Sequence, residues 1–275
     1  MYLALPRAGL VPALAALLAI SLQSLAAAAE FLPHRAVYAL SKGGGRPAQG
    51  VSSLSGTMSI ELEESCDGWS LSQRVRMSLT DSMGETVDSD SRYASIESKD
   101  GTELQFAATD WQNGSLVEET IGSATRDAAD RPGTVEFSKP AGETVDLPAN
   151  ALFPAAFNHH LITLGDGFHS MIGFDGGNTD GAYTITAFVG KQRASAVTLP
   201  DELTAPAAGA LGGPVRNVRV AYFPIAGQSP EPELEYEMEL QPNGVSPTMR
   251  LDYQRYAVKA TLVEFTALPR PRCGR

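Results

Sequence analysis

Met58-Ser-Ile-Glu-Leu-Glu-Glu-Ser-Cys-Asp-Gly-Trp-Ser-Leu-Ser-Gln-Arg-Val-Arg-Met-Ser-Leu79 is the stretch whose reading decides the fold. Met58, Ile60 and Leu62 share one face of an extended chain. After Asp67-Gly68, residues Trp69, Leu71, Val75, Met77 and Leu79 share another, with Gln73 interrupting. Period two means one buried and one wet face per strand. Asp-Gly between two such runs signals a hairpin, because both central residues of a type I′ turn need positive φ.

The same grammar recurs along the chain. Asp100-Gly101, Asn113-Gly114 and Asn243-Gly244 are flanked by strand-like residues. Tyr183, Ile185, Ala187 and Val189 alternate, as do Leu234, Tyr236, Met238 and Leu240; Met249, Leu251 and Tyr253 continue after a turn. A sheet with so many strands has to curl, split or close. One segment has helical spacing: Leu152 to Leu164 places Phe153, Phe157, Leu161 and Leu164 at intervals of four and three. Lys42 to Ser53 and the Ala-, Gly- and Pro-rich Pro200 to Pro214 read as loops. No repeat of fixed period is visible.

The N-terminus reads as an export leader. Arg7 supplies a positive start, Leu10 to Leu22 an apolar run too short to span a bilayer comfortably, and Ala27, Ala28 and Ala29 the small residues before a cut near Glu30. Residues 1–29 are therefore expected to be a signal peptide and 30–275 a single soluble domain in the periplasm. The formal charge of −11 becomes more negative by one when Arg7 leaves with the leader. That balance argues against nucleic acid and anionic lipid surfaces as partners. Cys66 and Cys273 are the only cysteines. Behind an export signal they suggest one disulfide, the single intramolecular connectivity open to them, with two buried thiols or an intermolecular bridge as alternatives.

Motifs for chemistry are scarce. There is no G-x-S-x-G, no H-E-x-x-H, no P-loop and no dinucleotide fingerprint. The four histidines are His34, His159, His160 and His169. Adjacent His159 and His160 would point apart on a helix, and no cysteine or carboxylate spacing supports a metal site. Asp175, Asn178 and Asp180 stand near glycines, but they miss the spacing and closing Glu of a calcium loop and read as a polar turn. Asn113-Gly114-Ser115 fits a glycosylation sequon and, equally, a hairpin tip. Glu231, Glu233, Glu235, Glu237 and Glu239 form an alternating acidic stripe. It reads as a solvated strand face that discourages edge pairing, or else as a docking surface for a basic partner.

Cys66-Asp-Gly-Trp-Ser-Leu-Ser-Gln-Arg74, Glu97-Ser-Lys-Asp-Gly101, Leu152-Phe-Pro154 with His159 following, Phe174-Asp-Gly176, and Asn243-Gly-Val-Ser246 leading to Leu251-Asp-Tyr253 occur in that order before Cys273. Together they resemble the EipB family of alphaproteobacterial cell-envelope integrity proteins, from Leu32-Pro-His-Arg-Ala-Val-Tyr38 to Cys273. The resemblance implies an all-β fold: a large antiparallel sheet wound into a β-spiral, an open barrel-like shell with one or two short helices. It implies a disulfide between Cys66 and Cys273, a role in envelope integrity under stress, and a periplasmic partner built of tetratricopeptide repeats. It also implies similarity in shape to lipoprotein-carrier folds, and no established catalytic residue.

Three functions follow as expectations. The first is a non-enzymatic envelope factor that binds a protein partner. The second is a carrier or sensor of lipid or lipoprotein acyl chains, held in a cavity lined by Trp69, Met77, Phe153, Phe157 and Tyr236; plain core packing is the other reading of those side chains. The third, an unrecognised hydrolase using Glu97, Asp100, Asp175 or a histidine, has nothing in sequence to pair its groups. No catalytic residue, metal or cofactor is expected.

Overall fold

In the computed structural model the Asx-Gly pairs turn the chain where the sequence puts them. The structure describes residues 30–44, 50–204, 206–226, 230–253 and 255–274; the proposed leader lies outside the described residues. The first run of strands comprises β1 (His34–Lys42), β2 (Val51–Glu64), β3 (Gly68–Asp81) and β4 (Thr86–Ser98). It continues as β5 (Glu103–Gln112), β6 (Ser115–Arg126), β7 (Gly133–Lys139) and β8 (Thr144–Leu147). Asn113 and Gly114, with φ of 49° and 79°, make the β5–β6 turn in the left-handed region that Asn and Gly tolerate best.

The second run comprises β9 (Gly167–Gly173), β10 (Tyr183–Arg193), β11 (Val215–Pro224), β12 (Leu234–Leu240), β13 (Thr248–Asp252) and β14 (Ala257–Ala267). All fourteen strands form one antiparallel sheet in the order β8 to β1, then β14 back to β9. The chain thus starts in the middle of the sheet, walks to one edge, crosses over, and walks back from the other edge. The β1–β14 pair, from His34 opposite Ala267 to Lys42 opposite Val258, joins the two runs.

The sheet curls, and its far edge wraps over the near one. Ile172 sits on the face of β9 opposite Met171, yet it packs into a cluster with Leu104, Phe106, Val135 and Leu147 from β5 to β8. The β9–β10 connection is docked on that same wall: Tyr93 Oη donates to the Asp175 carbonyl at 2.6 Å and Thr120 Oγ1 to the Gly177 carbonyl at 3.0 Å. A side chain at Gly176 would strike the Phe106 ring at 2.4 Å, so this close approach requires glycine.

Two inserts fill the shell near opposite ends of β2. Helix α1 (Pro154–Thr163) buries Phe157, Leu161 and Ile162 in a cluster with Leu62, Ile185 and Met238. It falls inside the 152–164 segment with helical spacing. Near the Leu54 end, Pro200 to Pro214 is not an open loop. It forms α2 (Asp201–Thr204) and α3 (Ala208–Leu211), which seat Leu203 and Leu211 against Tyr38, Leu54 and Val258. The amides of Gln241 and Asn243 bind the carbonyls of Leu211 and Ala210, each at 2.8 Å. The described residues therefore hold three short helices rather than one or two. The composition concealed α2 and α3 because each is a single turn, too short for helical periodicity. At the other expected loop, Lys42 closes β1 and Val51 to Ser53 open β2.

Two anchors hold α1 and the chain ends. Glu97, inward on β4 and 3% exposed, receives the N–H groups of Ala155 at 2.8 Å and Ala156 at 2.7 Å. A carboxylate from the sheet thereby caps the first turn of the helix. Cys66 and Cys273 lie 5.5 Å apart at Cα and are joined, tying the β2–β3 turn to the tail after β14. Arg270 reinforces the join, donating to the Phe31 carbonyl at 2.6 Å and pairing with Glu64 at 3.1 Å.

The disulfide closes a separation of 207 residues. Cys66→Ser should lower unfolding stability by about 2–5 kcal/mol in oxidising buffer, and reductant should bring the parent down to the mutant. An unchanged melting temperature in denaturation scans would refute the link's contribution. Burial pushes Glu97 from its ordinary 4.5 to about 7, while its two N–H bonds pull the other way. The folded state therefore binds the extra proton between those values. The stabilisation is complete below 4.5 and is lost as pH rises through 7. Glu97→Gln should remove about 3 kcal/mol of pH dependence over this window, read as a flatter plot of Tm against pH. A mutant that keeps the parent's slope would assign that dependence to other groups.

Candidate functional site: the cavity inside the shell

Between the two inserts the curled sheet leaves a cavity of about 540 Å³. That size is in the range of small-molecule sites, which span about 300–1,000 Å³. Its apolar wall comes from the alternating positions of both runs: Met58, Ile60 and Leu62 on β2, Leu71 and Val75 on β3, and Met238, Met249 and Leu251 on β12 and β13. α1 contributes Pro154, Phe157 and Asn158. The face that period two predicted to be buried is therefore buried around a space rather than against a second layer.

Of the five residues expected to line a cavity, Phe157 and Tyr236 do so. The structure places the other three elsewhere. Trp69 packs on Phe31, ring centroids 5.2 Å apart, with Lys99 Nζ 5.6 Å from its ring. Phe153 is 1% exposed in the β5–β8 cluster, under the Arg126 guanidinium at 4.8 Å. Arg126 also donates to the carbonyls of Gly101 and Ala151, which locks the crossover into α1 in place. Met77 packs against the cluster around Leu54 and Leu40. All three are apolar, but Phe153 lies in the crossover before α1 and is fully buried, while Trp69 and Met77 sit near opposite ends of β3, partly buried, away from this cavity.

The wall also has a polar end, of which only Tyr236 was expected from the sequence. Tyr93, Tyr183, Tyr222, Tyr236, Asp110 and Asp175 all line it. Tyr222 and Tyr236 place their hydroxyls 3.4 Å apart, and Asn178 Nδ2 donates to Tyr183 Oη at 2.6 Å. Burial raises all four phenols above the ordinary range, Tyr236 to about 12, so they stay neutral donors. Asp175 is raised chiefly by burial, against the pull of the Gly177 N–H. Alternation of Val218, Val220 and Tyr222 would have placed Tyr222 inward. The Asp175 turn carries no periodicity, so its position required the fold.

Other expected groups have structural roles. Asp175 and Asn178 accept from the N–H groups two residues on, the polar turn foreseen. His34 lines the cavity with Nδ1 on the Leu32 carbonyl at 2.7 Å, and burial lowers its basicity. His160 is lowered first by burial, then by His169 and His159, so these three imidazoles are electrostatic neighbours. Among the described residues no group of three His, Cys, Asp or Glu is placed to hold a metal.

The acidic stripe is divided by the fold. Glu239 is 4% exposed. Burial works to raise it, but bonds from Ser195, Ala196 and Arg193 outweigh that and leave it below the ordinary range. Glu237 binds Asn217 at 2.6 Å and Arg219 at 3.1 Å. Only Glu231, Glu233 and Glu235 are exposed. Outside the shell, Phe168 and Phe188 oppose each other on β9 and β10 with centroids 4.8 Å apart, exposed by 84% and 42%. Among the described residues no helix is long and apolar enough to cross a membrane.

This architecture has relatives. The crystal structure of a beta-barrel-like protein of domain of unknown function DUF1849 from Brucella abortus matches with a TM-score of 0.76 and 26% identity. The match covers 87% of this chain and 99% of that one. The cell envelope integrity protein EipB of Brucella abortus (strain 2308) is 28% identical over 249 residues, 88% of this chain and 86% of that protein. A family model described as EipB-like matches residues 25–269. The chain belongs to the EipB-like family.

Proposed function

We propose that this protein is a non-enzymatic periplasmic factor that maintains the cell envelope by holding an acyl chain inside its shell. The envelope role is supported by the family and by the relative that carries that name. The chain-holding role rests on one observation, the cavity of about 540 Å³ walled by Met58, Ile60, Leu71, Met238 and Leu251. A space of this size with an apolar wall is costly to leave filled with water, and a hydrocarbon chain recovers about 25 cal/mol for each Å² of apolar surface it covers. The non-enzymatic reading is supported by the use of the buried carboxylate Glu97 as a helix cap.

A second reading, docking of a protein partner such as a periplasmic tetratricopeptide-repeat protein, is supported by the exposed Glu231, Glu233 and Glu235 on an acidic protein. The two are compatible, since the acids lie outside the cavity wall and a ligand lies within it.

Native mass spectrometry of the purified protein, before and after organic extraction, tests the chain-holding role. The expected result is an acyl species at about one per chain that extraction removes. Met249→Trp, which fills the cavity from β13, should lower that occupancy several-fold. Protein that carries no extractable lipid and takes up no added amphiphile with an uncharged head leaves partner docking as the working function.

A further inference from the structure

The wall of the cavity is electrically one-sided. Asp110 on β5 and Asp175 after β9 both line it. Arg92 also borders the space, but it lies on the opposite face of β4 from Tyr93, where it shares Asp90 with Arg74, and its side chain is 53% exposed, so its guanidinium points away from the tyrosines. His34 is held neutral by burial. The interior thus offers two carboxylates and no facing cation among the described residues.

Asp175 sits beside an aromatic cluster. Tyr222 is ringed by Tyr183, Tyr236 and Phe157 at centroid distances of 5.7, 5.9 and 6.0 Å. The charge of Asp175 reaches Tyr93, Tyr183 and Tyr222, which marks them as its neighbours. Asp175 accepts from Gly177 N–H through Oδ1 at 2.8 Å, a bond that engages one of its two oxygens. Ring faces next to a desolvated carboxylate are the chemistry that recognises an ammonium group.

The surrounding field has the same sign. Glu118 stands opposite Asp110 in the β5–β6 register. Glu233 is raised first by burial and then by Asp180 and Asp175, with Glu118 contributing as well. Among the described residues, none of Asp110, Glu118, Asp175, Asp180 and Glu233 forms an ion pair with Lys or Arg. Glu118, Asp180 and Glu233 are exposed, and Glu233 stands close enough to feel Asp175, which lines the cavity. A metal ion is a poor occupant, because no three of these groups converge.

We propose that the cavity selects an amphiphile with an ammonium head: its hydrocarbon chain lies along Met58, Ile60, Met238 and Leu251, and its head sits between Asp175 and the Tyr183–Tyr222–Tyr236 rings. This rests on the chain-holding reading and adds to it the class of head group. An anionic head meets uncompensated carboxylates in the same place, so fatty acids and sulfates are the disfavoured amphiphiles.

Isothermal titration with decyltrimethylammonium, decyl sulfate and uncharged decyl maltoside, each below its micelle concentration, tests the proposal. The ammonium compound should bind one per chain and about tenfold or more tightly than the sulfate. Asp175→Asn keeps an acceptor for Gly177 N–H and removes the charge. It should weaken ammonium binding by about tenfold and leave decyl maltoside unchanged. Glu103→Gln removes an equal charge from an exposed position on β5 and should change neither. If both variants weaken ammonium binding equally, the cation adsorbs to the acidic surface and the proposal fails. Equal affinity for all three compounds also overturns the head-group selection while the chain-holding reading stands. Binding of none of the three overturns both.

Discussion

The pairing of β1 with β14 is the constraint on which the rest of the molecule depends. Each run of strands is a simple meander whose neighbours are local in sequence. β1 and β14 are separated by nearly the whole chain, and only their ladder turns two open sheets into one. Bringing such distant segments together is entropically expensive. The Cys66–Cys273 link and Arg270 lie just beyond the ladder, where they hold the same two regions close. Once β1 and β14 are paired, the inner faces of β2, β3, β12 and β13 are brought round the same space, and the cavity follows.

A sheet of fourteen strands cannot stay flat, because strand twist accumulates across it. Here the edges do not close on each other as in a barrel. The β5–β8 wall overlaps β9 through Ile172, and the β9–β10 turn is pinned to Tyr93 and Thr120. The β9 edge takes a short parallel bridge from Leu152 and is otherwise covered, one of the ways a sheet avoids edge-to-edge association. α1 and the α2–α3 segment then supply the apolar surface that the inner face would otherwise lack near each end of β2. The space they leave unfilled is the candidate site.

How much of this could be read in advance depended on whether a feature is local. Hairpins at Asp67-Gly68, Asp100-Gly101, Asn113-Gly114 and Asn243-Gly244 need only neighbouring residues, and all four connect successive strands. The strand faces carrying Met58 to Leu62 and Leu234 to Leu240 were equally readable. Assigning cavity against core was not: Trp69 and Leu71 share a face on β3, yet Trp69 packs on Phe31 and Leu71 borders the cavity. The glutamate run shows the same limit. Its even spacing is uniform, but Arg193 at the end of β10 and Ser195 just after it, more than forty residues away, bury Glu239 alone.

The sequence by itself determined the all-β class, the order of the hairpins, the inward residues of most strands, a helix within 152–164 and the family, because each is carried by a local period, turn or motif. Only the tertiary structure decided that Glu97 caps α1, that Pro200 to Pro214 is a folded insert, and that Asp175 faces three tyrosines across the cavity. Those contacts join residues between about thirty and eighty positions apart in the chain. Their partners are chosen by how the sheet curls, which no window of sequence contains.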